Sequence, residues 1–286
     1  MATQRCGAME PMEWTALAKC GASGAFAGLI CDSILYPLDL CRARLNAPRP
    51  AGAAPLPARP FAALGQIFRE LRATPRAFYR GYSCVLVFAA PDYAIYFMSY
   101  EYWSARTRSE LVGGFCAEAT SNPVFVPYDV LKQRFMVGRV AARSSVFGAA
   151  RGILRRDGPR GFYRGMLLAF ATYGPFSAIY FEAYSFLAAA AARAYDGDAA
   201  LACGAAAGAF AGAATQPIDW LKTRVQISSE VRVSVSTIIK DGIAQEGLGT
   251  VFRGTAARAF WLGTSCGITM QIYTAGKRAV GLTRGP

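Results

Sequence analysis

The sequence predicts an all-α membrane protein with six transmembrane helices in three tandem pseudo-symmetric repeats. Of its 286 residues, 53% are hydrophobic and the mean hydropathy is +0.24, which is more apolar than is usual for a soluble domain. Six apolar segments have the length of a membrane span, and one short motif recurs three times at constant spacing. Together these observations make lipid the expected solvent for much of the chain.

The six apolar segments are the first basis of this prediction. A spanning helix needs about 20 mostly apolar residues, and the segments cover roughly 17–38, 82–100, 111–128, 165–181, 199–218 and 259–276. The last two contain no charged residue and are predicted as the clearest spans. The first three carry internal acids, which a span tolerates only where they face partners or water.

The recurring motif lies at the end of each odd-numbered segment. It is PLDLCRAR from Pro37, PYDVLKQR from Pro127 and PIDWLKTR from Pro217, so that successive prolines are 90 residues apart. A second motif, FYRG, FYRG and VFRG, opens the next apolar segment each time. The sequence therefore predicts one domain over 1–286, with repeats at about 14–106, 107–195 and 196–283. Each repeat is a helix, a polar link with a short amphipathic helix, and a second helix.

Composition argues against several other classes of protein. The chain has no histidine and its eight cysteines show no CxxC spacing, so the usual catalytic and zinc-binding constellations are missing. The net charge of +13 is scattered between apolar segments rather than gathered in a basic arm. We therefore expect no enzyme, no metal site, no cofactor and no nucleic-acid partner.

Nearly the whole chain resembles the mitochondrial carrier family, on the three Pro-x-Asp-x-x-(Lys/Arg)-x-Arg motifs and the three aromatic-Arg-Gly motifs. The resemblance implies a three-fold pseudosymmetric bundle around a central cavity that opens alternately to either side, with the short helices on the matrix side. It implies a small-molecule substrate, a lipid bilayer with cardiolipin as a candidate lipid, and a monomer. The expected location is the mitochondrial inner membrane, with the plastid envelope as the alternative.

The charged motif residues form the matrix gate by this resemblance. Three ion pairs between repeats would close the cavity: Asp39 with Lys132, Asp129 with Lys222, and Asp219 with Arg42. In the family a glutamine nine residues after each proline braces the ring, and here those places hold Asn46, Met136 and Gln226. Only Gln226 matches. An alternative is that the pairs merely hold the bundle together.

The opposite, cytosolic gate departs from the family pattern of (Phe/Tyr)-(Asp/Glu)-x-x-(Lys/Arg). The chain has YEYWS, YSFLA and YTAGK at the far ends of the even-numbered segments, so only Glu101 and Lys277 carry charge. We therefore expect a weak cytosolic gate and a resting state in which the matrix ring dominates.

The substrate contacts of the family lie seven or eight residues past the aromatic-Arg-Gly glycine. This position falls on Phe88, on Thr172 with Tyr173, and on Trp261, none of which is basic. Acids inside the apolar segments add a negative charge instead: Asp32, Asp92 and Glu118. If they face the cavity, the site suits a cationic and partly flat substrate; alternatively, they pair with bases such as Arg258.

Two subfamilies share local strings with the chain. S-adenosylmethionine carriers resemble it in DSILYPLD around Asp32 and in VPYDVLKQR after Glu118. Mitoferrins, the iron carriers, resemble it in PDYAIYFMSYEY from Pro91. Mitoferrins use intramembrane histidines, where this chain has Tyr93 and Tyr180. The predicted function is therefore transport of S-adenosylmethionine, and the alternatives are another cationic or zwitterionic metabolite such as an amino acid, a metal ion, or an uncoupler-like proton leak.

Overall fold

The computed structural model describes residues 14–50, 52–107, 110–141, 144–194, 200–228 and 234–279. These residues form ten α-helices and no strand. The helices are α1 (Trp14–Asn46), α2 (Pro60–Arg72), α3 (Tyr82–Thr107), α4 (Glu110–Met136), α5 (Val146–Asp157), α6 (Met166–Ala194), α7 (Ala200–Ala214), α8 (Gln216–Ile227), α9 (Val235–Glu246) and α10 (Thr255–Ala279).

The long helices form a closed ring. Contacts run from α1 to α3, α3 to α4, α4 to α6, α6 to α7, α7 to α10, and α10 back to α1. Helix α8 follows α7 in the chain and packs against α1, α4 and α6. The predicted all-α class with six long segments is confirmed, and the ring leaves space along its axis.

The short helices α2, α5 and α9 connect the two long segments of each repeat. Helix α2 buries Ala63, Ile67 and Leu71, which lie four residues apart and so share one face. A single 3₁₀ turn follows each short helix, over Pro75–Tyr79, Pro159–Tyr163 and Leu248–Phe252. In the first two repeats, the chain then enters the next long helix through a glycine with positive φ, Gly81 or Gly165, a conformation that L side chains rarely adopt.

The fifth predicted segment is not one helix. It is divided at Thr215 into α7 and α8, and at this break the carbonyl of Gly212 accepts a hydrogen bond from Arg258 Nε at 3.1 Å. Pro217 follows at once and has no N–H to donate. Helices α1 and α4, in contrast, continue through their motif prolines.

Hydropathy alone singles out fewer spans than the sequence prediction did. Among the described residues, two helical stretches are both long and apolar enough to cross a membrane, Gly21–Asn46 and Pro75–Thr107, and Leu201–Ala214 is a shorter apolar helix. The segments predicted as clearest, 199–218 and 259–276, do not meet this test. The first is shortened by the break at Thr215.

Closely spaced glycines shape two helix contacts in different ways. A Cβ added at Gly263 would lie 2.8 Å from the carbonyl oxygen of Ala205, so α7 and α10 meet backbone to backbone. In α1, Gly24 and Gly28 instead make room for the rings of Phe97 and Tyr93 from α3. The same spacing therefore gives close backbone approach in the third repeat and seats for aromatic rings in the first.

Candidate transport site

A cavity of about 400 Å³ lies between the long helices and has a mostly aromatic wall. Five of the predicted contact residues line it: Asp32, Asp92, Glu118, Tyr173 and Trp261. Its other end is formed by residues of the proline motifs: Arg42, Asp129, Lys132 and Lys222. The structure therefore brings the predicted substrate contacts and the predicted gate into one continuous space.

Two predicted contact residues do not line the cavity. Phe88 packs against the core of the bundle, with its ring 6.3 Å from that of Tyr128. Thr172 is 1% exposed, and its hydroxyl donates a hydrogen bond to the Leu168 carbonyl, 2.7 Å away in the same helix. One residue turns a helix by about 100°, so Tyr173 faces the cavity while its neighbour Thr172 faces away. In α3 the corresponding cavity face begins at Asp92.

Three ion pairs join the proline motifs of different repeats. Their shortest N–O distances are 3.0 Å for Lys132–Asp39, 2.8 Å for Lys222–Asp129 and 2.8 Å for Arg42–Asp219. All six side chains are buried, so water screens the attraction little. These are the pairs that the resemblance implies, and the six residues are called the ion-pair ring below.

Arg258 of α10 joins the ring, which the sequence did not indicate. Its Nη1 lies 2.6 Å from Asp219 Oδ1, and its Nη2 donates to Thr215 Oγ1 at 3.1 Å. Asp219 therefore holds two buried arginines, Arg42 and Arg258. The sequence analysis considered Arg258 only as an alternative partner of the cavity acids. Within the described ranges, no ion pair joins Arg258 to Asp32, Asp92 or Glu118.

Two side-chain amides brace the ring from below. Gln226 Nε2 donates to Asp129 Oδ2 at 2.9 Å, and Asn46 Nδ2 donates to Asp219 Oδ2 at 2.9 Å. The third brace position is Met136, which is fully buried and offers no side-chain amide. Asp39 instead receives a second base, with Arg42 Nε at 2.8 Å from its Oδ1.

Aromatic rings cover the bases of the ring on the cavity side. The Arg42 guanidinium lies 4.8 Å from the centroid of Trp261. Lys222 Nζ lies 5.2 Å from Phe125 and 5.3 Å from Tyr173, and Lys132 Nζ lies 5.2 Å from Tyr128. The faces of these rings are electron-rich and attract the cations, so the floor of the cavity presents aromatic rings next to each base.

The three acids of the wall are not consumed by ion pairs. Asp92 is 6% exposed, its Oδ1 has no hydrogen-bond partner in the described part of the chain, and Asp32 and Glu118 both lie within electrostatic range of it. Asp32 lies close to the Tyr93 hydroxyl. No salt bridge involves any of the three acids among the described residues. The upper cavity therefore has three carboxyl groups that form no salt bridge within the described ranges, although Lys132 lies within electrostatic range of Asp32 and Asp92, and Lys222 of Glu118.

The sequence prediction missed most of the aromatic wall. Tyr96, Phe125, Phe176 and Tyr180 all line the cavity. The signal was present, because Tyr96 lies four residues after Asp92, and Phe176 and Tyr180 lie three and seven after Tyr173, all spacings that keep one helical face. The prediction took its contacts from the family's one or two positions per repeat and from the acids, and named Tyr180 only as a position of mitoferrin histidines, so it did not include the rest of each stripe.

The far ends of the even-numbered apolar segments, which belong to α3, α6 and α10, are only partly described. The side chains of Thr274 and Lys277 lie outside the described residues, so the expectation of a depleted cytosolic gate stays a prediction. Within the described ranges no group of three or more His, Cys, Asp or Glu could hold a metal ion.

A closed helical bundle with an internal cavity, sealed at one end by ion pairs between three equivalent helices, defines a membrane carrier of small solutes. The family model described as "Mitochondrial carrier protein" matches residues 13–110, 104–193 and 199–283. The chain belongs to the mitochondrial carrier family. It is a transporter of small molecules and not an enzyme.

Relatives in the family are named for different solutes. The chain is 32% identical to "Mitochondrial substrate carrier family protein E" of Dictyostelium discoideum, over 88% of this chain and 92% of the relative. It is 28% identical to "Mitochondrial glycine transporter A" of Danio rerio (91% and 94%) and 27% identical to "Mitoferrin-1" of Homo sapiens (88% and 80%). These similarities establish the family and leave the substrate to be argued from the cavity.

Proposed function

We propose that the protein carries S-adenosylmethionine across the mitochondrial inner membrane. The observation that supports this most directly is the group of three carboxyl side chains, Asp32, Asp92 and Glu118, in a cavity whose remaining wall is mainly aromatic. S-adenosylmethionine has a sulfonium and an ammonium group, a carboxylate and a flat adenine ring. A cavity lined by carboxyl groups and aromatic rings complements all but the carboxylate.

Each part of this substrate has a matching surface. The carboxyl groups around Asp92 attract the two cationic centres, and Tyr96, Tyr173 and Tyr180 offer ring faces for the adenine and for the sulfonium. In this proposal the carboxylate of the substrate faces Lys132 and Lys222, two bases on the cavity floor. A volume of about 400 Å³ lies within the range of sites for ligands of this size.

The ion-pair ring supplies the gate in this proposal. With the ring formed, the cavity is closed at the proline-motif end, which the family resemblance places on the matrix side. Opening needs the three pairs to separate, and a substrate drives this only if it binds the open and closed states with different affinity. The bilayer, a monomeric state and the inner-membrane location are parts of the same proposal.

The first prediction separates charge recognition from shape recognition. S-adenosylhomocysteine lacks the sulfonium methyl and its charge but keeps the adenine and the amino acid end. We expect S-adenosylmethionine to raise the melting temperature of the detergent-purified protein more than S-adenosylhomocysteine does, since a ligand that binds only the folded state stabilises it. In the Asp92→Asn variant, we expect the ratio of the affinities for S-adenosylmethionine and S-adenosylhomocysteine to fall about tenfold, which corresponds to ~1.4 kcal/mol.

Exchange of labelled S-adenosylmethionine in liposomes tests transport itself, with Phe88→Leu as the matched control because Phe88 lies off the cavity. Equal stabilisation by both ligands, or an unchanged preference in Asp92→Asn, would mean that the acids do not recognise the substrate. Dissipation of a pH gradient without any solute would instead favour a proton leak.

An amino acid is the second candidate substrate. The similarity to the glycine transporter of Danio rerio supports it, and the combination of wall acids with floor bases suits a zwitterion. Stabilisation and exchange by glycine or a basic amino acid, with no effect of S-adenosylmethionine, would select this alternative. The same screen with Fe²⁺ tests the metal alternative.

A further inference from the structure

Each repeat has a pair of arginines on the side of the ring away from the cavity. One is the last residue of the proline motif and the other belongs to the aromatic-Arg-Gly motif. The pairs are Arg44 with Arg80, Arg134 with Arg164, and Arg224 with Arg253. We call each pair an arginine clasp.

The motif arginine of every clasp bonds the backbone of the next repeat. Arg44 Nε donates to the Met136 carbonyl at 3.2 Å, Arg134 Nε to the Gln226 carbonyl at 3.2 Å, and Arg224 Nε to the Asn46 carbonyl at 2.9 Å. These three carbonyls belong to the three brace positions. The clasps are therefore equivalent by position and by backbone contact, and each ties two repeats together.

In the second and third repeats a carboxylate fills the clasp. Asp157 contacts Arg134 at 3.4 Å and Arg164 at 3.3 Å. Glu246 contacts Arg224 at 2.6 Å and Arg253 at 2.8 Å. Both acids lie seven residues before the second arginine of their clasp, at the end of the short helix.

The first clasp has no such acid. The residue seven positions before Arg80 is Ala73, which is exposed at the end of α2. No salt bridge joins Arg44 or Arg80 to a carboxylate within the described ranges, although Arg80 is close enough to repel Arg44. Arg80 Nη2 donates to the Val140 carbonyl at 2.6 Å, so both arginines are held beside the turn that follows α4.

The nearest acid does not replace the missing one. Glu70 is bound by Arg49, with N–O distances of 2.7 and 3.1 Å. These hydrogen bonds hold the pKa of the Glu70 carboxyl below its usual range, so it is ionised and already neutralised. Glu70 also lies within electrostatic range of Arg44, but Arg49 holds it, so Arg44 and Arg80 have no carboxylate of their own among the described residues.

From this comparison of the three repeats we infer that the first clasp binds a phosphate-class oxyanion between Arg44 and Arg80, in the place that Asp157 and Glu246 occupy in the other two clasps. Guanidinium groups bind phosphate oxygens through two parallel N–H donors, and the exposure of Ala73 leaves the position open to solvent. Inorganic phosphate and the phosphate of a lipid headgroup share this chemistry. The site is remote from the substrate cavity, so this inference does not depend on the identity of the substrate.

The test restores the missing acid. Purified protein in neutral detergent without added lipid should gain about 2–4 °C in melting temperature when phosphate replaces chloride at equal ionic strength. The Ala73→Glu variant should melt higher than the natural protein without phosphate and gain nothing more from it. Ala62→Glu, which adds the same charge at an exposed alanine of the same helix, should keep the response of the natural protein.

A cardiolipin titration distinguishes the two sources of phosphate. Stabilisation by phosphate alone assigns the site to a soluble anion, and stabilisation by cardiolipin that Ala73→Glu abolishes assigns it to the lipid. If neither ligand distinguishes Ala73→Glu from Ala62→Glu, the inference is wrong. Arg44→Gln provides a second check, because it should lose the response while Arg151→Gln, an exposed arginine on α5, should keep it.

Discussion

At the scale of single residues, Asp219 and Asp129 of the ion-pair ring differ in the kind of partner they hold. Asp219 contacts two arginines, Arg42 and Arg258, and accepts a hydrogen bond from Asn46. Asp129 contacts one lysine, Lys222, and accepts hydrogen bonds from two amides, Gln226 and Gln133. Equivalent positions in the three repeats therefore differ in what their removal would leave unpaired.

We predict that Asp219→Asn destabilises the protein more than Asp129→Asn does. Breaking a buried pair by removal of one partner costs about 3–5 kcal/mol because the remaining charge is buried without compensation. Asp219→Asn leaves Arg258 in that state and also removes one of the two carboxylates of Arg42, which keeps only Asp39. The melting temperatures of the two purified variants provide the comparison. A larger loss in Asp129→Asn would mean that Arg258 is compensated by groups other than Asp219.

At the scale of helices, the contact between α7 and α10 depends on missing side chains. Gly208 and Gly263 face each other across it: a Cβ at Gly208 would lie 3.0 Å from the Leu262 carbonyl and 3.3 Å from Gly263 Cα. Because those neighbours are backbone atoms, they cannot move aside as a side chain could. The helices would have to separate to admit a methyl group.

We therefore predict that Gly263→Ala lowers the melting temperature, by overpacking that costs about 1–3 kcal/mol. Gly204→Ala is the matched control, since its added Cβ would lie 3.6 Å from Tyr180 Oη, an ordinary contact, and alanine favours a helix over glycine by about 1 kcal/mol. Equal stability of both variants would show that α7 and α10 can separate without loss.

At the scale of the whole molecule, the three joints between repeats are unequal. The joint of repeats 3 and 1 has Asn46, which bonds Asp219 and Gln216, in addition to its ion pair, and the joint of repeats 2 and 3 has Gln226. The joint of repeats 1 and 2 has Met136 in place of a brace, and its clasp, through Arg44, lacks an acid. The pseudosymmetric ring is therefore weakest between repeats 1 and 2.

Met136→Gln should strengthen this joint. By equivalence with Gln226, the new amide would donate to Asp39, and a hydrogen bond to a charged group is worth about 1.5–3 kcal/mol. We expect a higher melting temperature and slower exchange in liposomes, since the closed ring becomes harder to open. Gln226→Met is the reverse control and should do the opposite. A lower melting temperature of Met136→Gln would show that the amide is buried without reaching Asp39.

Much of this architecture was predictable from sequence because it repeats. Three copies of two motifs at matched spacing indicated the helices, their order and the family. The motifs contain the six residues of the ion-pair ring, and the family resemblance implied how they pair. The resemblance also implied Tyr173 and Trp261 as contact positions, while Asp32, Asp92 and Glu118 were noticed as acids inside apolar segments.

Only the tertiary structure decided which neighbour each side chain meets. It turned Phe88 and Thr172 away from the cavity, brought Arg258 to Asp219, and divided the fifth segment at Thr215. Within the part of the chain that the structure describes, it also showed that the cavity acids form no salt bridge and that no acid lies between Arg44 and Arg80 as it does in the other clasps. Spacing along one helix determines which residues share a face, whereas the partner across that face comes from a distant part of the chain and is set by packing.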